Sequence, residues 1–339
     1  MDKYKLVIFG DDWDVYQAAY HELICNPKVL YIQTFRPSGL KGLIQRIQFN
    51  PRLNNFLNMP LKSMWNPYYV RDVKCEKVCF LILERWLRME CGIKLLPFLK
   101  KRYPKSRIVC FTQDLVETIK DHYSHEQIDV NYIKKYVDLF ISYDISDAKK
   151  HNLSYHPTVF SPISSEYLGK GFKPKYDLYF LGRDKERLDM LVKICKEATQ
   201  KGLQCKFLLV DVPKEKKIYS KGLEYVDGKV SYIENLRNCA MSKCIIELLQ
   251  NNASSPTFRT WEAIALNKKL MTNNTSVALS EIYDENYISM FCDEKDFNWN
   301  FVKEENKWTE QEENPFLNRI RPESLICFIE NKLNIQIIR

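Results

Sequence analysis

The stretch Cys244 to Asn274, CIIELLQNNASSPTFRTWEAIALNKKLMTNN, decides the fold. It opens on a short apolar run, Cys244 to Leu248, that reads as a strand, and closes on a second one, Lys269 to Thr272. Between them, Ser255 followed by Pro256 marks a helix start. Serine caps free amides, and proline at the first helical position gives up a donor that has no intrahelical acceptor. The spacing predicts a helix from Thr257 to Leu266. A helix beginning just past a strand's carboxyl end presents bare N–H groups and a positive dipole end, which suits a phosphate. Arg259 and Glu262 lie three apart and share one face of it. One can pair with a phosphate, and the other can accept from sugar hydroxyls. The plainer alternative is an ordinary strand–helix–strand unit with a surface ion pair.

Working outward, the same alternation recurs. Strand Leu178 to Leu181, helix Lys185 to Lys201, strand Lys206 to Val210 and helix Ser231 to Ala240 are expected before this stretch, and Pro322 opens a last helix ending near Leu333. In the first half, Lys5 to Phe9, Val29 to Gln33, Val78 to Leu83, Arg107 to Phe111 and Leu139 to Ser142 read as strands. Helical patterns at Asp14 to Ile24 and Arg85 to Lys101 lie between them. Such alternation argues for α/β units with parallel sheets. Residues 34–77, with Pro37, Gly39, Pro51, Pro60 and Pro67, break the rhythm and are expected as an insertion of loops and short helices. Pro162, Gly169, Gly171 and Pro174 mark a linker. A chain of 339 residues exceeds one ordinary core. The expectation is an α/β protein with two Rossmann-like domains facing a cleft, 1–165 and 173–320, followed by a C-terminal helix, 321–339. Ligands in such sheets bind outside the carboxyl ends of the strands.

Composition narrows the classes. Hydrophobic residues make up 45% and charged residues 28%, a globular balance. No apolar run approaches the ~18 residues of a membrane span, and the N-terminus has no leader pattern, so a cytoplasmic chain is expected. The eleven cysteines include no Cys-x2-Cys pair, and the five histidines are scattered, so neither a metal site nor a cofactor is expected. The net charge of +8 is uneven: Phe35 to Lys105 holds fifteen Lys and Arg against four Asp and Glu. Phe35, Phe49, Phe56, Trp65, Tyr68 and Tyr69 are interleaved with these cations. That mixture suits an anionic partner, such as membrane headgroups or a lipid-linked phosphate, although a solvated basic surface over core aromatics has the same composition. No nucleic-acid-binding signature accompanies it, so nucleic acid is not an expected partner.

Two further segments carry charge where chemistry is expected. Strand Leu178 to Leu181 runs into Gly182-Arg183-Asp184-Lys185-Glu186-Arg187, where a glycine permits close backbone approach and the cations suit a pyrophosphate. The alternative is a tight turn before a salt-bridged helix. Neither a Walker A motif nor GxGxxG is present, which argues against an ATPase or a dehydrogenase. After the first strand come Asp11 and Asp12, either of which is placed to act as a general base, or else Asp12 or Asp14 caps the next helix. Asp114 and Asp144 also end strands.

The chain resembles bacterial glycosyltransferases of the GT-B fold from lipopolysaccharide-core, O-antigen and capsule biosynthesis. The resemblance is carried by Tyr176 to Arg187 and by the run from Ile246 through Gln250, Ser255, Thr257, Arg259 and Glu262 to Asn274, with looser likeness at Ile8 to Asp14 and Asn50 to Asn66. Ser142 to Ala148 with Tyr155-His156-Pro157 is similar to that family's crossing between domains. It implies a metal-independent enzyme with a nucleotide-sugar donor on the C-terminal domain and a glycan or lipid-linked acceptor approaching from the N-terminal one. Glu262 then binds ribose hydroxyls, Gly182, Ser255, Thr257 and Arg259 hold the donor, and Arg183 and Lys185 neutralise the departing diphosphate. Two departures stand out: Ser255-Pro256 replaces a glycine common in the family, and Ser254 stands where many retaining relatives carry a first glutamate. A non-catalytic nucleotide- or glycan-binding relative and a nucleotide-sugar epimerase are the competing expectations.

Overall fold

The computed structural model describes residues 2–339 apart from 34–36, 58, 89, 121–128, 164–167, 169–172, 185, 250–253 and 305–315. The chain divides into two compact units, Met1–Ser161 with Ile320–Arg339, and Pro162–Arg319. The last helix, Pro322–Leu333, therefore folds with the first unit rather than standing apart. It carries the final strand back to the first one, where Gln336 pairs with Lys3 and Ile338 with Lys5.

The first unit is built on strands β1 (Lys3–Phe9), β2 (Leu30–Ile32), β3 (Val78–Leu83), β4 (Arg107–Thr112), β5 (Leu139–Ser142), β6 (Ser154–Tyr155) and the returning Gln336–Ile338. All their pairings are parallel. Every residue of β3, VCFLIL, is buried, because a parallel strand is covered by helices on both faces. Phe9, Phe80, Ile82, Trp86, Leu95 and Leu96 form part of one core. β1 pairs with β3 on one side and with β2 along its last three residues on the other. The winding thus reverses between β1 and β3, and the carboxyl ends of those two strands flank a topological switch point. The expected helix from Asp14 to Ile24 is interrupted at Tyr20, giving Asp14–Ala19 and His21–Ile24. The hydroxyl of that buried tyrosine donates to Gln113 on the next layer.

The second unit has strands β7 (Tyr176–Arg183), β8 (Cys205–Val210), β9 (Leu223–Val226), β10 (Ser242–Glu247), β11 (Lys269–Thr272) and β12 (Ile288–Met290), in the order β12-β11-β10-β7-β8-β9. Its pairings are again all parallel. The chain winds outward from β7 to β9, then returns to lay β10 on the other side of β7. A second switch point lies between β7 and β10. Phe180, Phe207, Ile246, Met271 and Phe291 belong to the core here. The ten described cysteines are free, and six are buried as small apolar side chains. No helix among the described residues is long and apolar enough to cross a membrane.

Candidate functional site

At the β7–β10 switch point, the arrangement begins with one buried carboxylate. Glu247, the last residue of β10, is wholly buried and accepts hydrogen bonds from three threonine hydroxyls. Thr260 donates at 2.9 Å, Thr272 of β11 at 2.5 Å, and Thr257 completes the set. Thr257 also caps the helix Phe258–Ala265, its hydroxyl accepting from the Arg259 N–H at 3.2 Å. The cap is therefore Thr257, two residues past the expected Ser255. Ser255 is buried instead, and its carbonyl accepts from Asn274 Nδ2 at 3.1 Å. Glu247 thus locks the start of this helix to two strands, and it holds Arg259 in the first turn at the sheet's carboxyl edge.

Two guanidinium groups converge there. Those of Arg187 and Arg259 each lie 5.3 Å from the ring centre of Phe180 on β7. Gly182 lets them approach: a methyl on its Cα would sit 3.1 Å from Nη2 of both arginines. Arg187 clamps the strand ends, donating to the carbonyls of Leu248 and Arg183 at 2.6 Å each and of Asp184 at 3.2 Å. Arg259 donates to the Leu181 carbonyl. Among the described residues neither forms an ion pair; their hydrogen bonds go to backbone carbonyls, and the carboxylates of Asp184 and Glu262 act on them only at longer range. Burial, reinforced by repulsion from Arg259, lowers Arg187 to about 10. A multivalent anion is the ligand such a pair favours. Arg183 is placed differently from the expectation, exposed and paired with Asp211 at 3.1 Å. Lys185 lies outside the described residues.

The first unit's switch point is acidic. Asp11, just past β1, is buried and accepts from the Trp13 N–H at 2.9 Å and from Arg85, which follows β3. Asp12 shares the same guanidinium at 3.1 Å and is the more open of the two, with its side chain 27% exposed. Arg85 also lies 5.0 Å from the Trp13 ring. Burial pushes Asp11 up to about 6, against the pull of Arg85. A carboxyl pair with one such member has a proton-accepting form near neutrality. The other strand-ending carboxylates serve the backbone. Asp144 caps the helix Ile145–His151, accepting from Asp147 N–H at 3.0 Å, and Asp114 accepts from Leu115 N–H at 2.8 Å.

No protein-family model matches the chain, and no curated protein does. Solved structures do match over nearly their whole lengths. An alpha-glucosyltransferase in complex with UDP and a DNA 13-mer containing a HMU base has a TM-score of 0.60 at 11% identity, over 97% of this chain and 98% of that one. The UDP-forming α,α-trehalose-phosphate synthase of Burkholderia vietnamiensis gives 0.58 at 8% identity, over 98% of each chain. The UDP-GlcNAc 2-epimerase of Methanocaldococcus jannaschii gives 0.51 at 11% identity, over 97% and 99%. The fold is GT-B.

In this GT-B chain Glu262 is not an open carboxylate. It is 4% exposed, and it accepts from Asn235 Nδ2 at 3.0 Å in the seam with the helix Tyr232–Ala240. Asn235 in turn accepts from the Tyr179 hydroxyl at 2.9 Å. Burial raises Glu262 to about 7, opposed by Arg259. A carboxylate whose pKa is raised by folding stabilises the protein below its unfolded pKa and loses that contribution as pH climbs through the folded value. Ionisation of Glu262 should therefore cost stability between about pH 4.5 and 7, by up to roughly 3 kcal/mol. Glu262→Gln should leave the melting temperature unchanged at pH 4 and raise it at pH 8. An equal melting temperature at pH 8 contradicts this account of the seam.

The sequence reading missed two members of the site. Glu247 was legible only as an acidic residue ending an apolar run. Arg187 stood in the basic segment after β7, without a signal to distinguish it from Arg183.

Proposed function

We propose that this GT-B chain is a metal-independent glycosyltransferase that moves a sugar from a nucleotide-sugar donor to a glycan or lipid-linked acceptor. The acceptor class assigned is that of envelope polysaccharides, worked on at the cytoplasmic face of the membrane. The observation that carries the reading is the pair Arg187 and Arg259 converging on Gly182 at the β7–β10 switch point, with no direct ion pair to either among the described residues. As the bond between anomeric carbon and diphosphate oxygen breaks, negative charge grows on the leaving group. Guanidinium groups already fixed in place stabilise that charge without reorganising. Glu262 is assigned to the ribose in a secondary role, since one of its oxygens is already engaged by Asn235.

The Asp11–Asp12 pair is assigned the acceptor proton, with Asp12 as the more accessible member. Ionisation of its neighbour Asp11, raised to about 6, completes the doubly ionised pair, so the rate should rise with pH through about 6 and then level off. The test is a panel of nucleotide sugars, read first as thermal stabilisation and then as nucleotide release with oligosaccharide or lipid-linked acceptors. Stabilisation by at least one donor, turnover only with acceptor, and loss of turnover in Asp12→Asn are expected. No stabilisation by any nucleotide sugar overturns the proposal, and conversion of the donor's sugar without acceptor makes the chain an epimerase.

A further inference from the structure

The helix Gly39–Gln48 is inside out. It buries Gly42, Gln45 and Gln48, and it exposes Leu40, Leu43, Ile44 and Ile47 by 40–72%. These four stand at i, i+3, i+4 and i+7, a single apolar stripe. The inward polar face is not a misplacement, because its hydrogen bonds are made: Gln48 Nε2 donates to the Pro60 carbonyl at 3.0 Å, and Gln48 Oε1 accepts from buried Trp65 Nε1 at 2.7 Å. The stripe therefore faces solvent by construction. It continues into the helix Pro51–Phe56, where Leu53 is 44% and Phe56 94% exposed, and on to Leu57, Leu61 and Met64.

Charge says what covers it. No Asp or Glu lies between Glu22 and Asp72, while Lys41, Arg46 and Arg52 are exposed beside the apolar residues. Lys41 rests over the Tyr68 ring, 5.5 Å from its centre. A short helix with an apolar stripe edged by cations and lacking any anion matches a bilayer interface, with side chains among acyl ends and cations among headgroups. Long basic side chains reach to the headgroup level while their stems stay with the apolar stripe. The sequence expectation of an anionic partner along residues 35–105 narrows to this face.

We infer that residues 39–64 dock the protein on an anionic lipid bilayer, with Leu40, Leu43, Ile44, Ile47 and Phe56 entering the interface. The donor site plays no part in this, so vesicle binding and nucleotide-sugar turnover succeed or fail separately. The experiment is cosedimentation of the whole chain with vesicles of phosphatidylcholine, alone and mixed with phosphatidylglycerol. Binding to the mixed vesicles only, weakened by salt, is expected. Leu43→Asp with Ile47→Asp should cut the bound fraction by at least ~tenfold at an unchanged melting temperature, since both side chains are already exposed. Lys41→Glu with Arg46→Glu should do the same at low salt. Equal binding by the apolar double variant overturns the inference. So does a wild-type dimer in sedimentation that the same substitutions dissolve without any vesicle binding, which would make the face a contact between copies.

Discussion

Arg259→Ala should lower kcat/KM for nucleotide-sugar turnover by about two to three orders of magnitude while the protein stays folded. The substitution removes a guanidinium whose described hydrogen bond goes to one backbone carbonyl, that of Leu181. Losing that bond costs the fold only about 1 kcal/mol. The larger loss falls on the transition state, where the departing diphosphate meets Arg187 alone. Arg187 cannot make up the difference, because three of its N–H directions already hold the carbonyls of Asp184, Leu248 and Arg183. Arg259→Lys should restore only part of the activity, since an ammonium is a point charge without the forked donor geometry. The check is kcat/KM with the melting temperature of each variant. A near-wild-type kcat/KM in Arg259→Ala removes the diphosphate from this position.

Glu247→Ala should destabilise the second unit by roughly 3–5 kcal/mol, a large share of a domain's stability. Three hydroxyls lose their acceptor at once, those of Thr260 and Thr272 wholly buried and that of Thr257 half-buried. Each orphaned buried donor costs about 1–3 kcal/mol, and relaxation keeps the sum below simple addition. Glu247→Gln should cost less, since its amide oxygen still accepts from one or two of the threonines. Urea unfolding measures both. A loss under about 1 kcal/mol for Glu247→Ala contradicts the pillar role, because an orphaned set of this size cannot be that cheap. Because Thr257 also caps the helix that carries Arg259, the folded fraction of this variant should bind nucleotide more weakly than wild type.

Much of the fold was legible because parallel strands covered on both faces must be continuous apolar runs. Val78–Leu83, Leu139–Ser142 and Lys269–Thr272 fall where their composition places them. The strands that escaped notice, Ser154–Tyr155, Leu223–Val226, Ile288–Met290 and Gln336–Ile338, are short edge strands with exposed or half-exposed positions, and such segments carry little periodicity. The helix start after β10 was readable to within two residues, but the competition between Ser255 and Thr257 was settled by Glu247, a partner ten residues away in sequence that draws Thr257 into place. Arg183 and Arg187 look alike in a string of letters. β7 runs on to Arg183 and leaves that side chain exposed, whereas Arg187 sits one residue before the helix Leu188–Gln200 and turns onto Phe180. Burial of that kind depends on where neighbouring strands end, which local pattern does not record.

The closing strand Gln336–Ile338 has a consequence for how the chain is made. It zips onto Lys3–Lys5, so this part of the first sheet closes only when segments on either side of the whole second unit meet. The stretch from Pro162 to Arg319 has no such debt and can mature while its predecessor is still open. Pairing across so large a sequence separation forms slowly, because a long loop must close first.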